Sequence, residues 1–254
     1  MTDNSPDGKL FSHYEQAGEE PPVLEKTYLS TNILARMLWQ RRAREIFRLL
    51  LPLVKKGDTV IDIGCGGGWY SKRFAEEGAR VIATDIASGY VRQTRAYCRD
   101  VESVAVVQCD AANLPFADKS ASVVIISEVL EHLVSPEQAV ADIKRVLKNG
   151  GEVLMSVPSM LNIELAARLM AKMRGEFYEH LQSYTPWSFR RFASNNGFRV
   201  RHFGTCLFLP IPWGRLHSRI KAIEKVYNFT ENIIAFVPGV NRLGRTIIIL
   251  AQVE

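Results

Sequence analysis

Apolar and polar positions divide the chain into three stretches. Residues 1–22 are rich in Asp, Glu, Gly and Pro and lack apolar periodicity, which predicts a mobile arm or one that orders only over a ligand. From about residue 30 to 54, Ile33, Leu34, Met37, Leu38, Ile46, Leu49 and Leu50 recur near helical spacing. A helix leading into the fold is predicted there, with Arg41, Arg42 and Arg44 on its solvated face.

Beyond residue 55 short apolar runs alternate with helical stretches. Thr59–Ile63 predicts a strand that ends in Gly64-Cys65-Gly66-Gly67-Gly68, followed by a helix that stops at Gly78. Further strands are predicted at Arg80–Thr84, Val104–Gln108, Ser122–Ser127 and Glu152–Val157. Helices are predicted from about Ser88 to Arg99 and from Ser135 to Leu147, the second opened by a capping box, Ser135-Pro136-Glu137-Gln138. Buried strands alternating with helices imply a parallel sheet covered on both faces, an α/β, Rossmann-like doubly wound fold. After Pro158 the pattern loosens. Leu161–Met173 reads as an amphipathic helix, Thr185-Pro186 opens another, and Phe198–Phe203 and Thr246–Val253 read as the last two strands. The expected organisation is an N-terminal arm and helix over residues 1–54 and a cofactor-binding domain over 55–254, with an insertion at 206–244.

Composition narrows the class. The chain has 254 residues and a net charge of +5, with eight of the 32 Lys+Arg but only three of the 27 Asp+Glu lying in residues 199–254. The excess charge is therefore local, and with no recognisable nucleic-acid module, nucleic acid is set aside as a partner. Cys65, Cys98, Cys109 and Cys206 form no CxxC pair, which excludes a zinc ribbon. The polar, acidic start does not read as a signal peptide, and no apolar run approaches the roughly 20 residues of a membrane span. A cytoplasmic protein is expected.

The glycine loop lies where a strand meets a helix, the nucleotide-binding position of an open α/β sheet. A dinucleotide fingerprint needs a third glycine, but Trp69 or Ser71 stands there, depending on the start chosen. Asp62 within the first strand could receive a cationic amino group. Asp85, ending the second strand, could accept two ribose hydroxyls, and Asp110, ending the third, lies where an adenine amino group would fall. Val60-Ile61-Asp62-Ile63-Gly64-Cys65-Gly66-Gly67-Gly68, Ala83-Thr84-Asp85, Cys109-Asp110-Ala111-Ala112-Asn113-Leu114-Pro115-Phe116 and Arg145-Val146-Leu147-Lys148-Asn149-Gly150-Gly151 together resemble the class I S-adenosylmethionine-dependent methyltransferases. The closest pattern is that of the small-molecule enzymes of ubiquinone and menaquinone biosynthesis. The resemblance implies seven strands with the last antiparallel. It also implies cofactor contacts from Asp62, Gly64, Cys65 and Gly66, from Asp85 and Ile86, from Asp110 and Ala111, and from Ser127.

Ser127-Glu128-Val129-Leu130-Glu131-His132 follows the fourth strand, and a second histidine stands in Glu179-His180-Leu181-Gln182. Glu128, Glu131 and His132 would share one helical face. Three readings stay open: a structural histidine under the cofactor loop, a general base at His132 or His180 beside Glu128, and a divalent ion held by Glu128, Glu131, His132 and His180. The last is implied by a similarity to ubiquinone-biosynthesis O-methyltransferases and small-RNA 2′-O-methyltransferases, in which a magnesium-like ion bridges an acceptor diol. The stretch 207–240 is basic and aromatic, and reads as an acceptor lid, a peripheral membrane contact or an oligomer contact. The expected activity is methyl transfer, to oxygen first, on a small or lipid-like acceptor. The alternatives are C- or N-methylation of a quinone-like substrate, and a catalytically silent nucleoside-binding protein.

Overall fold

The computed structural model describes residues 15, 23–31, 33–161, 173, 180–207, 229–230, 233–234, 237 and 242–253. All but the end residues of the predicted helix at 161–173 and most of the 206–244 insertion, with it most of the lid or membrane-contact stretch, lie outside the described residues, as does nearly all of the N-terminal arm.

Five apolar strands, β1 (Thr59–Ile63), β2 (Arg80–Asp85), β3 (Val104–Gln108), β4 (Ala121–Ser127) and β5 (Leu147–Pro158), run parallel. β6 (Phe198–Cys206) and β7 (Thr246–Val253) complete a seven-stranded sheet in the order β3-β2-β1-β4-β5-β7-β6. β7 is antiparallel to both neighbours, as the family resemblance implied. Between β1 and β4 the order reverses, and the strand ends there form the crevice where open α/β sheets bind ligands.

Alternation along each strand sorts the apolar side chains onto two faces. Ile61, Ile63, Val124, Ile126, Val153, Met155, Ile247 and Ile249 point to one, where they meet α5 (Pro136–Val146) and α6 (Pro186–Asn195). Val60, Val123, Ile125, Leu154, Ile248 and Leu250 point to the other, under α2 (Ile33–Leu50) and α3 (Trp69–Glu76). On that second face Ile46 and Leu50 of α2 are fully buried, so the entering helix belongs to the core. The four-residue α1 (Val23–Lys26) precedes it, and α4 (Ser88–Tyr97) links β2 to β3.

Two local expectations change, and one cap appears that the sequence reading did not include. The Ser135 side chain makes no cap bond, and instead its carbonyl accepts from Gln138 N at 3.1 Å, so the predicted capping box does not form. A capping box does form at α6, where Thr185 Oγ1 accepts from Ser188 N at 3.1 Å and Ser188 Oγ accepts from Thr185 N at 2.9 Å. Finally, β5 begins at Leu147, because Leu147 pairs with Ala121 and Gly150 absorbs the irregularity at φ +72°.

Phe74 of α3 is fully enclosed between helix and sheet. Phe74→Ala should lower the unfolding free energy by about 3–5 kcal/mol, because the transfer term and the residual cavity add. Urea titration of the two chains checks this, with an unchanged slope as the sign that the unfolded state is the same.

Candidate active site

The glycine loop is wired to the ends of β1 and β2. Cys65 N donates to Thr84 O at 2.8 Å, Gly66 N donates to Asp85 Oδ2 at 2.9 Å, and buried Thr94 on α4 donates from Oγ1 to Gly66 O at 2.7 Å. Gly64 sits at φ +68°, and a Cβ there would lie 2.3 Å from Val129 Cγ2, so only glycine lets the β4 turn approach. Gly66, at φ +53°, has open space where its Cβ would be, on the cavity side.

Asp85 also accepts from Ala87 N at 3.0 Å and lines the cavity. Burial pushes its carboxyl up to about 6 despite the backbone N–H groups of Ala87, Gly66 and Ile86 that favour its charge. Asp62 lies one layer lower. Its alternation in β1 turns it towards α3, where Ser71 Oγ donates to Oδ2 at 2.5 Å, and it is not part of the cavity wall. Burial raises it to about 6 as well, with a further push from the Asp85 charge. Cys65 lines the cavity, and burial, with Asp85 and Asp62 nearby, holds its thiol well above the ordinary range. Ile86, Asp110 and Ala111 form the wall beyond Asp85, and Asp110 Oδ1 accepts from Ala112 N at 2.9 Å. The Ser127 hydroxyl, also in the wall, meets Ser156 Oγ at 2.8 Å. Glu15 of the N-terminal arm reaches α4, accepting from Ser88 N and from Ser88 Oγ, each at 2.8 Å.

After β4 the chain turns sharply through Glu128, at φ +57°, into a short 3-10 turn over Leu130–His132. The predicted helical face is therefore broken between Glu128 and the two residues it was expected to join. Glu131, His132 and His180 come together with their donor atoms within 4.8 Å of one another. Glu131 is buried, its Oε1 3.7 Å from His132 Nε2, and the His132 and His180 rings meet edge to face at 4.8 Å. His180 is held there by its neighbour Gln182, whose N donates to Glu131 O at 2.8 Å and whose Nε2 donates to Leu133 O at 3.2 Å. Glu128 instead pairs with Arg42 of α2, Nη1 to Oε2 at 2.8 Å. This corrects two expectations. Arg42 is buried, not on a solvated face, and Glu128 is absent from the acid–histidine cluster. Burial works against the Arg42 charge, but Glu128 and the Tyr28 and Tyr70 hydroxyls outweigh it and raise the group well above its ordinary value.

Every site residue predicted from the sequence except Asp62 borders one cavity of about 890 Å³, at the upper end of the range for ligand sites. Its remaining walls escaped the sequence reading. Tyr28 stacks on Trp69 at 4.8 Å between centroids, Arg42 lies 4.3 Å over the Trp39 ring, and Ser159 and Arg245 close the β5–β7 end. A signal for Arg42 existed, since with Trp39, Ala43 and Ile46 it follows the i, i+3, i+4 spacing of the buried stripe. Ser159 and Arg245 carry no local signal.

Residues 61–155 match the family described as a methyltransferase domain. The demethylmenaquinone methyltransferase of Clavibacter sepedonicus is 33% identical over 193 residues, which cover 74% of this chain and 76% of that one. The enzyme of the same name from Thermobifida fusca is 33% identical over 141 residues, 55% of this chain and only 57% of its own length. Among solved structures, an S-adenosylmethionine-dependent methyltransferase from Aquifex aeolicus superposes with a TM-score of 0.55 at 14% identity, over 99% of this chain and all of that one. With the fold and the loop geometry, these matches place the chain in the class I S-adenosylmethionine-dependent methyltransferases. No helix among the described residues is long and apolar enough to cross a membrane.

The folded chain keeps the Asp85 proton up to about pH 6, whereas an unfolded aspartate loses it near ~4. Between those values the folded state binds more protons, so this group's contribution to stability falls as pH rises through the window. Relative to Asp85→Asn, the wild-type chain should gain unfolding free energy from about pH 7.5 to about pH 5. Asp62 acts in the same direction and loses part of its rise when the Asp85 charge is removed, so it adds to the difference, whereas His202, lowered by burial, acts in the opposite direction in both chains. Urea titration at both pH values decides, and a difference independent of pH would remove the burial account. Arg42→Leu leaves Glu128 without its partner and should cost about 3 kcal/mol, part of which Arg42→Leu/Glu128→Gln recovers. A double-mutant cycle by thermal unfolding measures it.

Proposed function

We propose that this chain transfers the methyl group of S-adenosylmethionine to an oxygen of a small, lipid-like acceptor of the quinol type. One observation carries the reading. A single cavity joins the acidic strand ends of β2 and β3 to the Glu131–His132–His180 cluster, so a nucleoside at one end and a hydroxyl at the other share one space. Its walls include Leu24, Tyr28, Trp39, Trp69 and Leu133, which suit an apolar body. The names of the Clavibacter and Thermobifida relatives favour a quinol-like ring.

When bound, the cofactor supplies an electrophilic methyl on a sulfonium. Asp85 accepts the ribose hydroxyls, and the Gly64–Gly66 backbone and Cys65 border the methionine part. Asp110, Ala111 and Ile86 form the adenine end, and Ser127 stands near the transfer point. Asp62 acts from beneath, holding the loop through Ser71. His132 removes the acceptor proton, and Glu131 at 3.7 Å stabilises the imidazolium that forms. His180 packs edge-on and fixes the ring plane of His132. Glu128 is a positioning residue, acting through Arg42. Most of the acceleration comes from holding the acceptor oxygen in line with the methyl.

The same three donors favour a second reading, since Glu131, His132 and His180 would hold a divalent ion such as magnesium, manganese or zinc, which would acidify the acceptor oxygen. Metal analysis of the protein, with and without a Glu131→Ala, His132→Ala double substitution, decides between the readings.

With a short-chain demethylnaphthoquinol and labelled S-adenosylmethionine, His132→Ala should lower turnover by about 10²–10⁴-fold while S-adenosylhomocysteine affinity stays near wild type. Asp85→Ala should do the reverse, weakening S-adenosylhomocysteine in calorimetry without unfolding the chain. NMR of the product locates the methyl, and a methyl on carbon would overturn the oxygen assignment. Full turnover in His132→Ala would remove its role as base.

A further inference from the structure

One end of the cavity has no role in moving a proton or holding the nucleoside. Asp85 and Asp110 end β2 and β3 on one side of the sheet, whereas Ser159, Arg245 and Thr246 stand at the β5–β7 end on the other. A side recess of about 110 Å³ opens there between Trp39, Arg42, Glu128, Leu207 and Arg245. It is large enough to admit a small polar group such as a carboxylate or phosphate.

Three donors converge on this end. Arg42 is neutralised by Glu128 through Nη1, but its Nε is buried with no hydrogen-bond partner. Arg245 is exposed, borders both the recess and the main cavity, and forms no ion pair among the described residues. Ser159 lines the cavity and is 1% exposed, and its buried Oγ also lacks a partner. Ser159 and Arg245 are tied together, since Ser159 N donates to Arg245 O at 2.7 Å. Two guanidinium groups against the single carboxylate of Glu128 leave one positive charge in the recess. Buried donors without partners are costly, and a fixed cation beside them selects an acceptor that is itself negative.

We propose that this recess is an oxyanion subsite for the methyl acceptor. A carboxylate or phosphate on the acceptor binds Arg245 and the free Nε of Arg42, with Ser159 Oγ donating alongside. The acceptor is then anchored by its charge at the β5–β7 end and presents its hydroxyl to His132. The subsite rests on the methyl-transfer reading, because it takes the other occupant of the cavity to be a nucleoside cofactor.

The test uses the full chain saturated with S-adenosylhomocysteine and titrated by calorimetry with benzoate, phenyl phosphate and the neutral benzyl alcohol. Benzoate or phenyl phosphate should bind at least tenfold more tightly than benzyl alcohol, and the tighter of the two identifies the oxyanion. Arg245→Gln should remove that preference while S-adenosylhomocysteine affinity stays within twofold of wild type. Ser159→Ala, which leaves every charge in place, should weaken the anion several-fold. Equal binding of the anions and the alcohol, or anion binding untouched by Arg245→Gln, would overturn the subsite alone. Wild-type chain that takes up no S-adenosylhomocysteine would overturn the methyl-transfer reading, and the subsite with it.

Discussion

A guanidinium taken out of water has to meet an anion, and Arg42 imposes that requirement on the acceptor side of the site. The buried stripe of α2 carries Arg42 over the end of β4, and Glu128 answers it at 2.8 Å. To do so Glu128 adopts a left-handed backbone, φ +57°, which no β-strand or helix would continue. The chain therefore breaks its register there and re-enters as the 3-10 turn that carries Glu131 and His132. One ion pair thus anchors the entering helix, turns Glu128 away from the histidines and sets the angle at which His132 faces the cavity. Ser156, donating to Glu128 Oε1 at 3.3 Å and meeting Ser127 at 2.8 Å, ties the same turn to β5.

The cofactor side obeys a different constraint. Asp62 and Asp85 lie beneath and beside a glycine loop with little water, and burial raises both carboxyls to about 6. Gly66 N of the loop and Ala87 N just after β2 both donate to Asp85, so backbone and acid hold each other in place before any ligand arrives.

The family match covers residues 61–155, and with it Gly64, Asp85, Asp110, Glu131 and His132. Other side chains of the cavity wall lie outside that stretch: Trp39 and Arg42 before it, Ser159, His180 and Arg245 after it. The cavity is thus walled jointly by the family segment and by the segments that flank it.

The sequence by itself determined the features that depend on neighbours a few residues apart. The five parallel strands follow from short apolar runs, the loop from its glycines, and the three acids at or near strand ends from where each run stops. The same locality accounts for its errors. Ser135 has the residues of a capping box but not the bond, because the cap depends on a backbone angle set by the preceding turn. Glu128, Glu131 and His132 have helical spacing, yet the helix never forms, since a partner 86 positions earlier draws Glu128 into a turn. Only the tertiary structure decided that Arg42 is buried, that His180 meets His132, and that Ser159 and Arg245 close the same cavity. Each of these pairings joins segments distant in the chain. Their energies come from desolvation and charge at a shared site, and no local pattern of residues records either.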